Sequence, residues 1–153
     1  MLVALALIAG LVAGLRTLTA PAAVSWAARL GFLHLDGTWL AFMGYAWTPW
    51  IFTALAVVEL ITDQLPSTPS RKVPLQFGAR LVSGALCGAT LGASGGAWIA
   101  GLVAGVIGAV IGTYGGAEVR ARMAKAFGRD RPAALIEDAA AIALAVIVVA
   151  ALP

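Results

Sequence analysis

Residues 97–117, AWIAGLVAGVIGAVIGTYGGA, contain no charged side chain and set Gly101, Gly105, Gly108 and Gly112 at alternating intervals of four and three. A run of this length matches the roughly 20 apolar residues that carry a helix across a bilayer. The glycine spacing leaves one bare stripe on that helix, along which a second backbone can approach closely. Such a partner lies immediately upstream, where Gly84, Gly88 and Gly92 recur every four residues within 75–94. The connection 93–97 is short, so the two segments are expected to form an antiparallel hairpin. Gly10 and Gly14 repeat the pattern near the start of the chain.

The remaining sequence has the same character. Of 153 residues, 61% are hydrophobic, 11% are charged and 18 are glycine, and the mean hydropathy is +0.97. Soluble domains run about 45–50% apolar and about 25% charged, so this composition leaves too little polar surface for a water-soluble domain. Breakers divide the apolar runs into five segments, 2–31, 49–65, 75–94, 97–118 and 132–152. The expected fold is all-α, a single polytopic transmembrane bundle of about five helices covering residues 1–153. Pro49, Pro74 and Pro132 stand at the starts of their segments, where a missing N–H costs nothing. Loops are expected over 65–70 and 127–130, with the short aromatic segment 38–47 lying along the interface. The first segment is anomalous: thirty helical residues reach about 45 Å against a hydrocarbon core of about 30 Å, and Pro21 interrupts its middle. A tilt, kink or break between Arg16 and Pro21 is expected, in surroundings that satisfy the freed backbone.

Charge and tryptophan orient the chain. Arg71 and Lys72 lie in one loop, and Arg120, Arg122, Lys125, Arg129 and Arg131 lie in another stretch, 118–131. The positive-inside rule makes that face cytoplasmic, and Trp26, Trp39, Trp47, Trp50 and Trp98 fall near the opposite boundary. Five crossings then place the N-terminus in the cytoplasm and the C-terminus in the periplasm of a bacterial inner membrane. No basic run interleaved with aromatics exists, so the expected partner is the lipid bilayer and not nucleic acid. The single Cys87 excludes a disulfide framework and reads as a small packing residue. Metal-ligand spacing, a nucleophile–base pair and a phosphate-binding loop are all missing, so neither metal, cofactor nor enzymatic activity is expected. Self-association through the glycine seams is compatible with the same pattern.

Six charged residues stand where apolar ones belong: Arg16, Glu59, Asp63, Arg80, Glu137 and Asp138. A central charge costs about 2.5–3.5 kcal/mol to insert, so these groups must be paired, hydrated or partly neutral. Glu59 and Asp63 are one turn apart on one helix face, and Arg80, Glu137 and Asp138 lie at similar depth from the same end. They are expected to converge in the cytoplasmic half, with Arg16 deeper. Arg80 also heads a polar stripe, Ser83, Cys87, Thr90 and Ser94, that should face protein or water. Three uses suit the cluster: an ion-pair network fixing helix register, a site that binds or passes an ion, or a site for an anionic lipid head group aided by Arg71 and Lys72. The working expectation is the second, a small transporter, channel or ion-binding protein. The alternative is a structural or lipid-binding protein.

Gly14-Leu15-Arg16 with Pro21, Val58-Glu59-Leu60-Ile61-Thr62-Asp63 followed by Pro66, Arg80 with Gly84-Ala85, and Ile136-Glu137-Asp138 occur in that order along nearly the whole chain. The ordered set resembles a family of small bacterial membrane proteins catalogued as domain of unknown function four-one-two-six. This chain carries Gln64 where that family often has lysine, and Arg16 where asparagine is common. The resemblance implies a small helical inner-membrane protein and brings no activity with it.

Overall fold

Six α-helices and no strand form among the described residues: α1 (Leu2–Leu15), α2 (Thr19–Arg29), α3 (Thr48–Thr62), α4 (Pro74–Ser94), α5 (Trp98–Phe127) and α6 (Asp130–Ala150), with a 3-10 turn at Ala41–Gly44. This computed structural model describes residues 1–65, 67 and 69–153. Pro66 and Thr68, part of the loop expected over 65–70, lie outside the described residues. The class is therefore all-α. By length and composition α5 and α6 are the two helices able to cross a membrane, while α1 and α3 are apolar but shorter.

The glycines set the centre of the bundle. A Cβ added at Gly105 would lie 2.0 Å from Gly84 O, and one at Gly88 would lie 2.2 Å from Gly101 O. On the other side of α5, a Cβ at Gly10 would lie 2.1 Å from Gly105 O and one at Gly112 would lie 2.2 Å from Leu11 O. Helices α1, α4 and α5 thus meet backbone against backbone, with α4 antiparallel to α5 and α1 parallel to it. Gly78 and Gly115 face open space.

The expected break in the first segment occurs at Arg16–Leu18, but it is a reversal and not a kink. Arg16 is extended (φ −138°, ψ 117°), α1 has ended at Leu15 and α2 begins at Thr19. Leu2 lies against Gly95 at the far end of α4, and the His34 amide donates to Ser94 Oγ (3.0 Å) at that same end. Residues 29–34 reach at most about 17 Å, so α2 must run back toward the end from which α1 started. Pro21 is the third residue of α2, where its missing N–H is one of those without an intrahelical acceptor in any helix. The proline opens a second helix instead of interrupting a long one.

Two corrections follow. The segment 2–31, read as one long crossing, is a helical hairpin, so the helices number six and not five. Consecutive helices alternate in direction, and the two ends of the chain lie together at the tryptophan-rich end, where Trp26 packs edge-on against Trp50 (5.0 Å) and Trp39 against Trp98 (6.0 Å). Five crossings had put them at opposite ends. In addition, α5 continues past residue 118 to Phe127, where Gly128 in the left-handed region (φ 68°) ends it. Alanines and an i,i+4 pair, Arg122 Nε to Glu118 Oε1 (2.8 Å), extend the helix beyond the apolar segment to the edge of the expected 127–130 loop.

Candidate functional site at the hairpin tip

A helix reversal inside a bundle exposes the carbonyls that end one helix and the amides that begin the next, and each unsatisfied group costs several kcal/mol in an apolar setting. Here charged side chains from the neighbouring helices take them. Glu59 on α3 accepts from the Thr17 and Leu18 amides (2.7 and 2.8 Å) at the start of α2, where the helix dipole also favours a negative charge. Arg80 on α4 donates Nη1 to Gly14 O (2.7 Å) and Leu15 O (2.9 Å) at the end of α1. Ser83 Oγ donates to Thr17 O, and Thr113 Oγ1 reaches Gly14 O at 3.5 Å.

Arg16 projects from the tip into a second set of charges. Its side chain is fully buried, in contact with Asp63 of the α3 end and Asp138 of α6, with Glu137 3.9 Å away. Gln64 Nε2 donates to Asp138 Oδ2 (3.0 Å). Glu137, 5% exposed, is the hub on the opposite side. Arg71 meets it with both terminal nitrogens, Nη2 to Oε2 at 2.7 Å, and Arg120 Nη1 donates to Oε2 at 3.2 Å. Arg120 then holds Asp130 in a fork, Nε to Oδ1 at 3.0 Å and Nη2 to Oδ2 at 2.6 Å.

The residues singled out in the sequence therefore divide. Arg16, Asp63, Glu137 and Asp138 do converge. Glu59 and Arg80 sit beside them but serve the main chain. Arg71, expected at a lipid head group, is paired to Glu137, and Lys72 lies exposed with its ammonium 5.8 Å from the Tyr114 ring centre. Sequence reasoning missed Asp130 and gave Arg120 only a part in orienting the chain, whereas Ser83 was placed in the polar stripe of α4. The signal for Arg120 was its place four residues after Gly116, a position so tight that a Cβ there would come within 3.0 Å of Arg71 Nη1 and 3.1 Å of Glu137 Oε1. Of the polar stripe on α4, Arg80, Ser83, Cys87 and Thr90 are buried.

Beneath the tip, at the end holding the 63–73 loop, lies a polar vestibule of about 340 Å³ bordered by Asp63, Arg71, Gln76, Arg80, Arg120 and Asp130. The carboxylates on this rim are engaged by Arg16 or Arg120. Arg80 differs: it is 3% exposed, has no carboxylate within ion-pair distance among the described residues, and its Nε has no hydrogen-bond partner. No group of three or more His, Cys, Asp or Glu side chains placed to hold a metal ion occurs among the described residues. Compared with protein families, with curated proteins and with solved structures, the chain matches none.

Proposed function

We propose that this chain is a polytopic inner-membrane protein that binds an anion in the vestibule under the α1–α2 hairpin. Support for the membrane comes from α5 and α6 and from the large apolar side chains on the outside of the bundle, Val82, Val103, Ile107, Ile111, Ile142 and Val146 among them. A soluble protein does not expose so continuous an apolar surface. At 1.5 Å per residue α1, α2 and α3 are about 21, 16 and 22 Å long, all short of a core of about 30 Å; α3 joins the tryptophan-rich end to the basic end while α1 and α2 return to the end they start from, so in this reading the pair re-enters from one face and α3 to α6 cross. The basic residues 71, 72, 120, 122, 125, 129 and 131 gather at the vestibule end, which the positive-inside rule makes cytoplasmic. Both ends of the chain then face the periplasm, replacing the opposite placement that five crossings imply. Membership of the family the chain resembles is compatible with this reading.

The observation that carries the proposal is Arg80, a buried guanidinium without a carboxylate at the wall of a polar cavity. Four of the six charges singled out in the sequence are carboxylates, which would favour a cation, but each carboxylate here already faces an arginine or a pair of amides. Unfolding temperature in detergent, measured across a panel of soluble anions, anionic lipids and alkali cations, tests the reading. Anions should stabilise the wild type and lose that effect in Arg80→Lys, which keeps the charge but not the fork. Stabilisation by cations alone overturns it. A second reading, a network that only fixes helix register, is favoured by the complete enclosure of Arg16, and it predicts no response to any ion.

A further inference from the structure

The vestibule is not closed at its side. A second cavity of about 530 Å³ runs between α3 and α4 up to the hairpin tip, walled by Leu18, Leu55, Val58 and Ala79 and by the polar side chains of Glu59 and Gln76. It shares Asp63, Leu65, Pro69 and Gln76 with the vestibule, so the two spaces adjoin along those side chains. The side opening exists because α3 packs on α2 and the 3-10 turn and hardly touches α4. Its apolar wall is open to the outside: Leu55 is 44% and Val58 54% exposed. The combined space is amphipathic from end to end, with guanidinium groups at its inner end and aliphatic side chains at its lateral mouth.

From this geometry we infer that the occupant is a membrane amphiphile with a phosphate monoester head group, the phosphate lying against Arg80 and the acyl chain leaving between α3 and α4. The inference rests on the anion-binding reading above and names its ligand. A phosphate monoester has up to two charges and three acceptor oxygens, which suits the unused edge of Arg80, whose Nε has no hydrogen-bond partner among the described residues; Arg71 and Arg120, their forks held by Glu137 and Asp130, add positive charge to the rim. Asp63 and Asp130 on the same rim do not repel it at full strength, because Arg16 contacts the first and Arg120 holds the second. A free inorganic anion would use the vestibule and have no need of the aliphatic cleft.

Native mass spectrometry and thermal shift of the purified protein, titrated separately with dioleoyl phosphatidic acid, dioleoyl phosphatidylglycerol and inorganic phosphate, test the inference. Phosphatidic acid should bind at least about tenfold more tightly than the diester lipid, a difference equivalent to one lost charge-assisted contact. Val58→Trp fills the mouth of the cleft from an exposed position and leaves the fold intact; it should weaken phosphatidic acid by a similar factor and leave inorganic phosphate unchanged. Arg80→Lys should weaken both ligands. Inorganic phosphate binding as well as the lipid, with Val58→Trp without effect, overturns the lipid assignment and leaves the anion site standing. Equal binding of phosphatidic acid and phosphatidylglycerol overturns the monoester assignment, and no binding of any anion overturns both readings.

Discussion

Helix α1 is held in two ways along its length, and the two have little in common. From Leu7 to Gly14 it is fastened to α5 by the absence of side chains, with glycine and alanine letting carbonyls and Cα atoms touch across the interface. From Gly14 to Leu18 the chain is fastened by the presence of charged side chains, Arg80 and Glu59, which stand in for hydrogen bonds the reversal has removed. The first kind of contact has one geometry and no substitute. The second consists of groups that can exchange one partner for another, because an anion, a water or a different side chain can satisfy a carbonyl-capping arginine. Rigidity is concentrated in the seam and adaptability in the tip.

That contrast can be broken most severely at its rigid half. Gly105→Leu places Cβ 2.0 Å from Gly84 O and 3.0 Å from Gly88 Cα, and since both are backbone no rotamer avoids them; the expected outcome is loss of folded, monodisperse protein on gel filtration in detergent. Next comes the tip. Arg16→Ala leaves Asp63 and Asp138 buried without their cation, a change expected to cost about 3–5 kcal/mol, read as a lowered unfolding temperature. Adding Asp63→Asn and Asp138→Asn should restore part of it, which no compensation at Gly105 can do. Glu59→Gln keeps an acceptor but removes the charge and one of two amide contacts; a loss of about 1–3 kcal/mol is expected, with faster hydrogen exchange at the Thr17 and Leu18 amides. Smallest is Arg122→Ala. Its pair with Glu118 is exposed on both sides, so the unfolding temperature should stay within the effect of about 0.5 kcal/mol typical of such pairs. A tip that proves as intolerant as the seam, with Glu59→Gln abolishing folding, would erase the distinction.

Much of the rigid half could be read in advance, because a glycine every three or four residues is a statement about distance between backbones and needs no partner to be named. The α4–α5 hairpin and the part played by Gly10 and Gly14 follow from it. That charges such as Asp63, Glu137 and Asp138 gather was legible from cost, since isolated charges in apolar runs must find partners; that Arg16, read as lying deeper, joins them was not. The reversal at Arg16–Leu18 was not legible either. An apolar run with one proline looks the same whether its halves continue or fold back, because hydrophobic periodicity records faces and not directions. Nor could the main-chain role of Glu59 and Arg80 be read, and both were placed in the converging cluster: their partners are backbone groups, which every residue has and no sequence displays. Arg120 was overlooked as a site residue because the basic stretch 118–131 was read only for its contribution to topology, and nothing in that reading brings one of its arginines to Glu137.

The hairpin tip also sets an order on synthesis. Everything that steadies residues 14–18 is encoded later: Glu59 and Asp63 on α3, then Arg80 and Ser83 on α4, and last Asp138 on α6. As the chain leaves the ribosome, α1 and α2 are made first, yet they cannot seat until the final helix has emerged. The opening segment must wait at the membrane with its reversal uncapped, exposed to capture by chaperones or by the insertion machinery, and the closing step of assembly is the docking of the part that was made earliest.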